Sequence, residues 1–477
     1  MDSKTQVIET AYEYVYIMSK AKQYNPQSLA NIKFLDKYSK QEVINMLNKC
    51  AIDFCNKCTC DKVRDFVYKN DYFTPRKMYL ISPIYYIYYT YLVFQIARIY
   101  LSGKDKLDFS RENISVFYSG TLILKDKEQK IDENVMFNKS YADFQKKRNE
   151  YLGKSVLKID IQNFFDNIKI DKLITKLKCL LGEKKEISEL ECFFKQCNID
   201  RLPQLHYSIA SSILSQFYLV DFDKRMEKIT IRDELQVIRF VDDMYIIHLN
   251  GISSKKENNN LLNEISYFLW KDSLSLNTMK TQILSIEDFK EQCEVVFSNY
   301  FGLNRFSTEK LFSEKVKDIL SNDKLTKLID ELNSLENIDG IDLKKYKELL
   351  DDYISVNGEN STKILNNIIF SDSWKSVPDN KLKKIIENWK FILFNPNQFT
   401  ILYISIYRYL ERKGAINEDG SKIKELLNYL FSNKTFTFRD SLVATSYLFQ
   451  NKKKNEELLE KIEEVNHDFS QYINKYL

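Results

Sequence analysis

At 477 residues and 56.8 kDa the chain exceeds one typical domain, so two or three units with ample residues for a core are expected. Ten glycines and six prolines leave few places for tight turns, which excludes a turn-rich architecture and favours long helices. A formal charge of +4 neither requires nor excludes nucleic acid, because 71 basic residues can still form a stripe.

The opening residues, Met1-Asp-Ser-Lys-Thr5, carry no signal peptide, so a cytoplasmic protein is expected. Residues 1 to about 75 read as helices, with Asn25-Pro-Gln-Ser28 as a loop. Cys50, Cys55, Cys58 and Cys60 crowd into one segment, but the second separated Cys-x-x-Cys knuckle of a zinc site is missing, so reduced thiols are expected. Met78 to Leu101 is long and apolar enough for a membrane span. Seven tyrosines, Pro83 and Arg98 argue instead for a buried helix with tyrosine hydroxyls at its polar rim, and for no membrane. Further on, Lys146, Lys147 and Arg148 form a run of three cations that suits a polyphosphate; Arg76 and Lys77 are weaker candidates.

In Val156-Leu-Lys-Ile-Asp160 an apolar strand ends in an aspartate, and Phe164, Phe165 and Asp166 follow before an amphipathic helix from Ile168 to Leu181. Pro203-Gln204 and Ser211 then precede a leucine-containing helix. The run Val237-Ile-Arg-Phe-Val-Asp-Asp-Met-Tyr-Ile246 places Asp242 and Asp243 at the crest of two short apolar strands. An Asp-Asp turn is common in itself; Asp160, 242 − 160 = 82 residues earlier, is what distinguishes this one. Side by side in one sheet, the three carboxylates converge on a site for hard divalent cations, two of which stabilise an in-line phosphoryl transfer. After a polar loop, 255–260, and a helix carrying Leu261, Ile265 and Leu269 comes Leu274-Ser-Leu-Asn-Thr-Met-Lys-Thr281. From about 300 onward, lysine, asparagine, leucine and isoleucine recur at helical spacing and suggest antiparallel helix pairs, in the manner of a helical repeat.

The strand-Asp160-x-x-x-Phe-Phe165-Asp pattern followed by Arg239-Phe-Val-Asp-Asp243 resembles motifs A and C of reverse transcriptases, close to the group II intron and bacterial branch. Leu274, Leu276, Asn277, Lys280 and Thr281 meet the motif D pattern. The resemblance implies an α+β fold, a right-hand palm and fingers at 76–300, preceded by a helical extension (1–75) and followed by a helical C-terminal domain (301–477) in place of a thumb. It implies that Asp160, Asp242, Asp243 and the Ile161 carbonyl hold two Mg²⁺ ions, with Mn²⁺ as an alternative. It also implies that Lys280 protonates pyrophosphate and that Phe165 lies beneath the sugar and selects dNTPs. Lys146, Lys147, Arg148, Gln204 and Ser211 are the remaining substrate-binding candidates. Motif B departs from the family, since no glycine follows Pro203-Gln204 and His206 and Tyr207 are bulky.

The layout also resembles bacterial abortive-infection and related defence-associated reverse transcriptases. That resemblance implies a homo-oligomeric antiphage DNA polymerase that works without a template and starts on a protein hydroxyl, leaving DNA covalently attached. An RNA-templated enzyme with a non-coding RNA partner and an inactive palm acting as a scaffold are the alternatives. A nuclease-type Arg-x4–6-His pair is met only by Arg201 and His206, inside motif B, so an appended RNase is not expected.

Overall fold

The computed structural model describes residues 3–21, 25–65, 76–124, 137–296, 316–335, 342–354, 361–370, 372–416, 425, 428 and 456–477. The chain divides into two compact units: Met1–Asp65, Lys77–Lys290 and Tyr472–Leu477 form one, and Phe66–Arg76 with Glu291–Gln471 the other. The fold is mixed α and β, with a sheet-centred first unit and, among the described residues, helices throughout the second.

The first unit opens with four helices, α1 (Ser3–Ala21), α2 (Pro26–Lys37), α3 (Lys40–Leu47) and α4 (Ala51–Lys57). Asn25, expected in a loop, is the N-cap of α2, where its side chain accepts from the Ser28 N–H. Residues 62–64 depart from the helical expectation: this Lys-Val-Arg segment is a strand, β1, paired antiparallel with β2 (Met78–Ile81). A short β5 (Gln204–Leu205) runs parallel to β2 and completes a three-stranded sheet.

Helix α5 (Pro83–Leu101) is buried on nearly every side, which explains its membrane-like composition. Its tyrosines do not form a polar rim. Their hydroxyls reach inward to fixed acceptors: Tyr85 donates to the Cys58 carbonyl (2.9 Å), Tyr86 to that of His206 (2.7 Å) and Tyr88 to that of Lys49 (3.0 Å). A buried hydroxyl without a partner costs about 1–3 kcal/mol, so each bond lets the ring pack as a large apolar body. No helix among the described residues is long and apolar enough to cross a membrane. Where the cysteines crowd, Cys55 meets the sequence-distant Cys197 of α9 (Lys185–Gln196 with Cys197 as its C-cap), and that contact draws the Cys55 thiol down to about 7.

The larger sheet has the order β3-β6-β7-β4-β8, built from β3 (Ile114–Phe117), β4 (Val156–Asp160), β6 (Leu235–Phe240), β7 (Asp243–His248) and β8 (Gln282–Leu284). Only the β3–β6 pair is parallel. Because side chains alternate, Asp160 and Lys158 of β4 share a face with their partners Asp243 and Tyr245 of β7, and with Phe240 and Ile238 of β6. Helix α6 (Phe137–Asn149) covers the rear of this face: the Phe144 ring lies 5.4 Å from that of Phe240 and 5.9 Å from that of Tyr245. The 24-residue α10 (Ile209–Arg232) packs against β6, and α8 (Ile170–Leu181) and α11 (Lys255–Lys271) pack in turn on α10.

The last six residues belong to this same unit. Tyr472 donates to the Ile81 carbonyl of β2 (2.9 Å), which also accepts from the Gln27 amide (2.9 Å). Lys475 pairs with Asp61 (2.6 Å), and the Tyr476 hydroxyl reaches Ser82 (2.9 Å).

In the second unit, helices 324–335, 343–354, 361–370, 379–386 and 396–412 bury an apolar core that includes Leu328, Leu332, Leu349, Phe399 and Leu402. Trp374 is 1% exposed, set edge-on to Tyr409 at 5.4 Å, with its indole N–H donating to the Ile369 carbonyl.

Candidate active site

The crest of the β6–β7 hairpin is a two-residue loop, Val241 and Asp242, and Asp243 is the first residue of β7. Val241 has φ of 56°, in the left-handed region that a β-branched residue rarely takes. Two bonds hold it there. Its N–H donates to the Phe117 carbonyl of β3 (3.0 Å), and its carbonyl accepts from Arg239 (2.8 Å).

Arg239 is fully buried, and its guanidinium also donates to Asp223 of α10 (2.6 Å) and to the side-chain amide oxygen of Gln216. Burial pushes the Asp223 carboxyl up, against the pull of Arg239. The arginine of the motif therefore ties the strained crest to the helix beneath the sheet.

Asp160 and Asp243 are directly opposed in register on adjacent strands, with Asp242 beside them. Asp160 is 3% exposed, and both its oxygens are engaged: the Asn277 amide donates to Oδ1 (2.8 Å) and the Lys280 ammonium to Oδ2 (2.9 Å). The segment carrying these two residues is stitched to β4 by backbone bonds from Asn277 N–H to the Asp160 carbonyl (2.8 Å) and from Gln162 N–H to that of Ser275 (2.9 Å). Those bonds flank the Ile161–Leu276 bridge. In an antiparallel pair this pattern turns the Ile161 carbonyl away from Leu276 and back toward the hairpin side.

Crowding three carboxylates raises the affinity of the group for protons. Burial, then the charges of Asp243 and Asp160, push Asp242 up to about 8, and burial with Asp160 raises Asp243. Burial alone would lower Lys280, but its bond to Asp160 and the attraction of all three carboxylates hold it above its ordinary value. Such a donor set fits a hard divalent cation, which would remove the repulsion. Among the described residues, no group of three or more His, Cys, Asp or Glu side chains already stands arranged around an ion position. The Asp160 oxygens point instead at Lys280 and Asn277.

Phe165 sits in the single turn α7 (Phe164–Asn167), five residues after Asp160; it is half-buried, whereas Phe164 is only 3% exposed. Lys77 pairs with Asp166 on the same turn (3.2 Å). The three-cation run on α6 does not share one direction. Lys146 is exposed, Lys147 pairs with Glu150 (2.5 Å), and Arg148 is 1% exposed with its guanidinium 4.0 Å from the Tyr245 ring centre. On the same face Lys158, lowered by burial, lies 5.6 Å from the Tyr245 ring centre; its sequence carried no signal for this place.

In the segment aligned with motif B, Gln204 pairs with Met78 in the small sheet, and the Ser211 hydroxyl donates to the Pro203 carbonyl (2.6 Å) and meets Tyr89 (3.1 Å). His206 pairs with the buried Asp65. Tyr207 has φ of 52°, a conformation that glycine takes without strain. The backbone turns here through the left-handed region with a half-buried aromatic ring on the residue.

A strand-end aspartate opposite an Asp-Asp hairpin, with a lysine segment closing over the first, is the arrangement of a palm-type nucleotide polymerase. Residues 112–317 match the family model of reverse transcriptase (RNA-dependent DNA polymerase), and residues 316–474 match a domain of unknown function. Residues 112–317 therefore match a reverse transcriptase domain, and domains of that family are nucleotidyltransferases that use divalent metals. No curated protein matches it. Among solved structures, a telomerase from Candida albicans in complex with a TWJ fragment of telomeric RNA is similar at 12% identity, covering 68% of this chain and 50% of that one, with a TM-score of 0.22. The chain thus spans half the length of that telomerase chain.

Proposed function

We propose that this chain is a DNA polymerase of antiphage defence that adds dNTPs without copying a template and starts its product on a protein hydroxyl. The observation that carries the polymerase reading is the register that sets Asp160 against Asp243 with Asp242 at the strained crest. Asp160 and Asp242 would hold two Mg²⁺ or Mn²⁺ ions, with Asp243 and the Ile161 carbonyl completing the set; when bound, such ions neutralise charge on the attacking and leaving oxygens. The hydroxyl loses its proton to solvent as it attacks the α-phosphorus and the bond to pyrophosphate breaks; Lys280, freed from Asp160, supplies a proton to the departing oxygen. Phe165 excludes a 2′-hydroxyl. Gln204 and Ser211 would shape the floor of the site, and Lys146, Lys147 and Arg148 remain the candidates for the triphosphate, with Lys146 the most exposed of the three. Untemplated synthesis is supported by the segment aligned with motif B, which has no glycine and carries the bulky His206 and Tyr207. The defence role, the covalent attachment of product and a homo-oligomeric state rest on the resemblance to defence-associated enzymes.

The matched family description favours a second reading, an RNA-templated enzyme with an RNA partner. Protein cleared of RNA by nuclease and given one dNTP at a time separates the two. Growth of a product, running with the protein until DNase removes it, supports untemplated, protein-primed synthesis; growth only when RNA is restored selects templating.

A further inference from the structure

Helix α11 carries an exposed face that no packing among the described residues explains. Tyr267 is 52% exposed and Trp270 70%, and their rings stack at 6.1 Å with 17° between planes. The Lys271 ammonium lies 4.6 Å from the Tyr267 ring centre. Steps of three and four residues continue this face back through Asn263 and Asn260 to Lys256, all exposed. The face thus reads Lys, Asn, Asn, Tyr, Trp, Lys without a carboxylate. The acidic neighbours are committed elsewhere: Glu257 closes the capping box with Ser254, Glu264 pairs with Arg232 (2.8 Å), and Asp272 is buried between Lys176 (2.7 Å) and Arg225.

The geometry points to this face as a binding track for single-stranded nucleic acid, with bases stacking on Tyr267 and Trp270, phosphates meeting Lys256 and Lys271, and the asparagines donating to base edges or sugars. Exposed aromatic rings among cations and amides suit a strand whose bases are unpaired, because every base has a flat face and every linkage a charge. A duplex hides those faces. An acidic or apolar protein partner would leave the amides or the lysines without a use.

The track is close to the chemistry. Trp270 precedes Asn277, which binds Asp160, by 277 − 270 = 7 residues, so their Cα atoms are at most about 25 Å apart. A strand leaving or approaching the site can therefore reach it. The inference rests on the polymerase reading for the origin of the strand, though not for the binding itself.

Fluorescein-labelled oligo(dT) and oligo(rU) are titrated against the full chain and against Trp270→Ala, Tyr267→Ala, Trp270→Phe and Lys256→Gln/Lys271→Gln. Each alanine variant should weaken binding about 5- to 150-fold, and Trp270→Phe should retain most of it. The double glutamine variant should flatten the log–log salt dependence by about 0.7 per lysine removed. Addition of a single dNTP should be unchanged in all four, which separates this inference from the polymerase reading. Tighter binding of oligo(dT) identifies the product strand, and tighter binding of oligo(rU) an RNA strand; either supports the track. Unchanged affinity for both in the alanine variants overturns it, as does a change of sedimentation with no change of affinity, which would make the face a contact between protein chains.

Discussion

Replacing Arg239 by methionine removes in one step the only buried cation among the described residues that binds Asp223, and the donor to the Val241 carbonyl. Asp223 is 2% exposed, so its charge is left uncompensated in a dry setting, a loss of about 3–5 kcal/mol. Arg111, which also attracts Asp223, offsets part of this and favours the lower end. For a unit of this size about 3 kcal/mol lowers the melting temperature by roughly 6–12 °C. The sign of the pH dependence follows. A carboxyl whose folded pKa lies above its unfolded value keeps its proton more tightly when folded, so the variant should regain stability as pH falls. The double variant Asp223→Leu/Arg239→Met removes both charges and should melt near the parent. It should still add nucleotides about 10²-fold more slowly, because nothing then holds the Val241 carbonyl and the crest carboxylates shift. Calorimetry and single-nucleotide incorporation on the intact chain read both effects. A single variant that melts within about 2 °C of the parent would refute the buried-pair reasoning, and a double variant with full activity would refute the role of Arg239 in fixing the crest.

Lys280→Met should lower the rate of nucleotide addition about 10²- to 10⁴-fold, with the alkaline limb of the pH–rate profile lost; an unchanged profile would show that another group delivers the proton. Asp242, pushed up to about 8, makes metal-free protein less stable as pH rises from about 4 to about 8, since the folded state holds the proton more tightly. Added Mg²⁺ should reverse that trend and Asp242→Asn weaken it, leaving the share of Asp243 and Asp223, both visible in melting curves across that range. Phe165→Val should raise ribonucleotide use relative to deoxynucleotide by about 10-fold or more in competition assays; an unchanged ratio would leave the ring a packing residue.

Much of the site could be read because its parts are local. Asp160 ends a run of alternating apolar residues, and Asp242 and Asp243 interrupt two such runs, so strand, turn and carboxylate share a short window. The start of α11 was equally open to reading: Ser254-x-x-Glu257 is a capping-box pattern, yet the polar residues 255–260 suggested a loop, and they form the first turns of the helix. What stayed hidden is long-range. Nothing near Arg239 names Asp223, 16 residues earlier on α10, as its partner, nor Phe117 as the acceptor that holds Val241. The same holds for Asp65, which meets His206 across 141 residues. Tyrosines of α5 resembled membrane-interface residues because composition shows the hydroxyls and not the carbonyls they reach. The return of Tyr472 to Ile81, across 391 residues, lies beyond any pattern in the C-terminal helix itself.

The central claim is that Asp160, Asp242 and Asp243 form one polymerising centre. Incorporation of a labelled dNTP by purified chain in Mg²⁺, compared with Asp160→Asn and Asp242→Asn at matched melting temperature, tests it most directly. The parent should incorporate the nucleotide and both variants should lose incorporation; equal incorporation by parent and Asp242→Asn would show that the three carboxylates form no such centre.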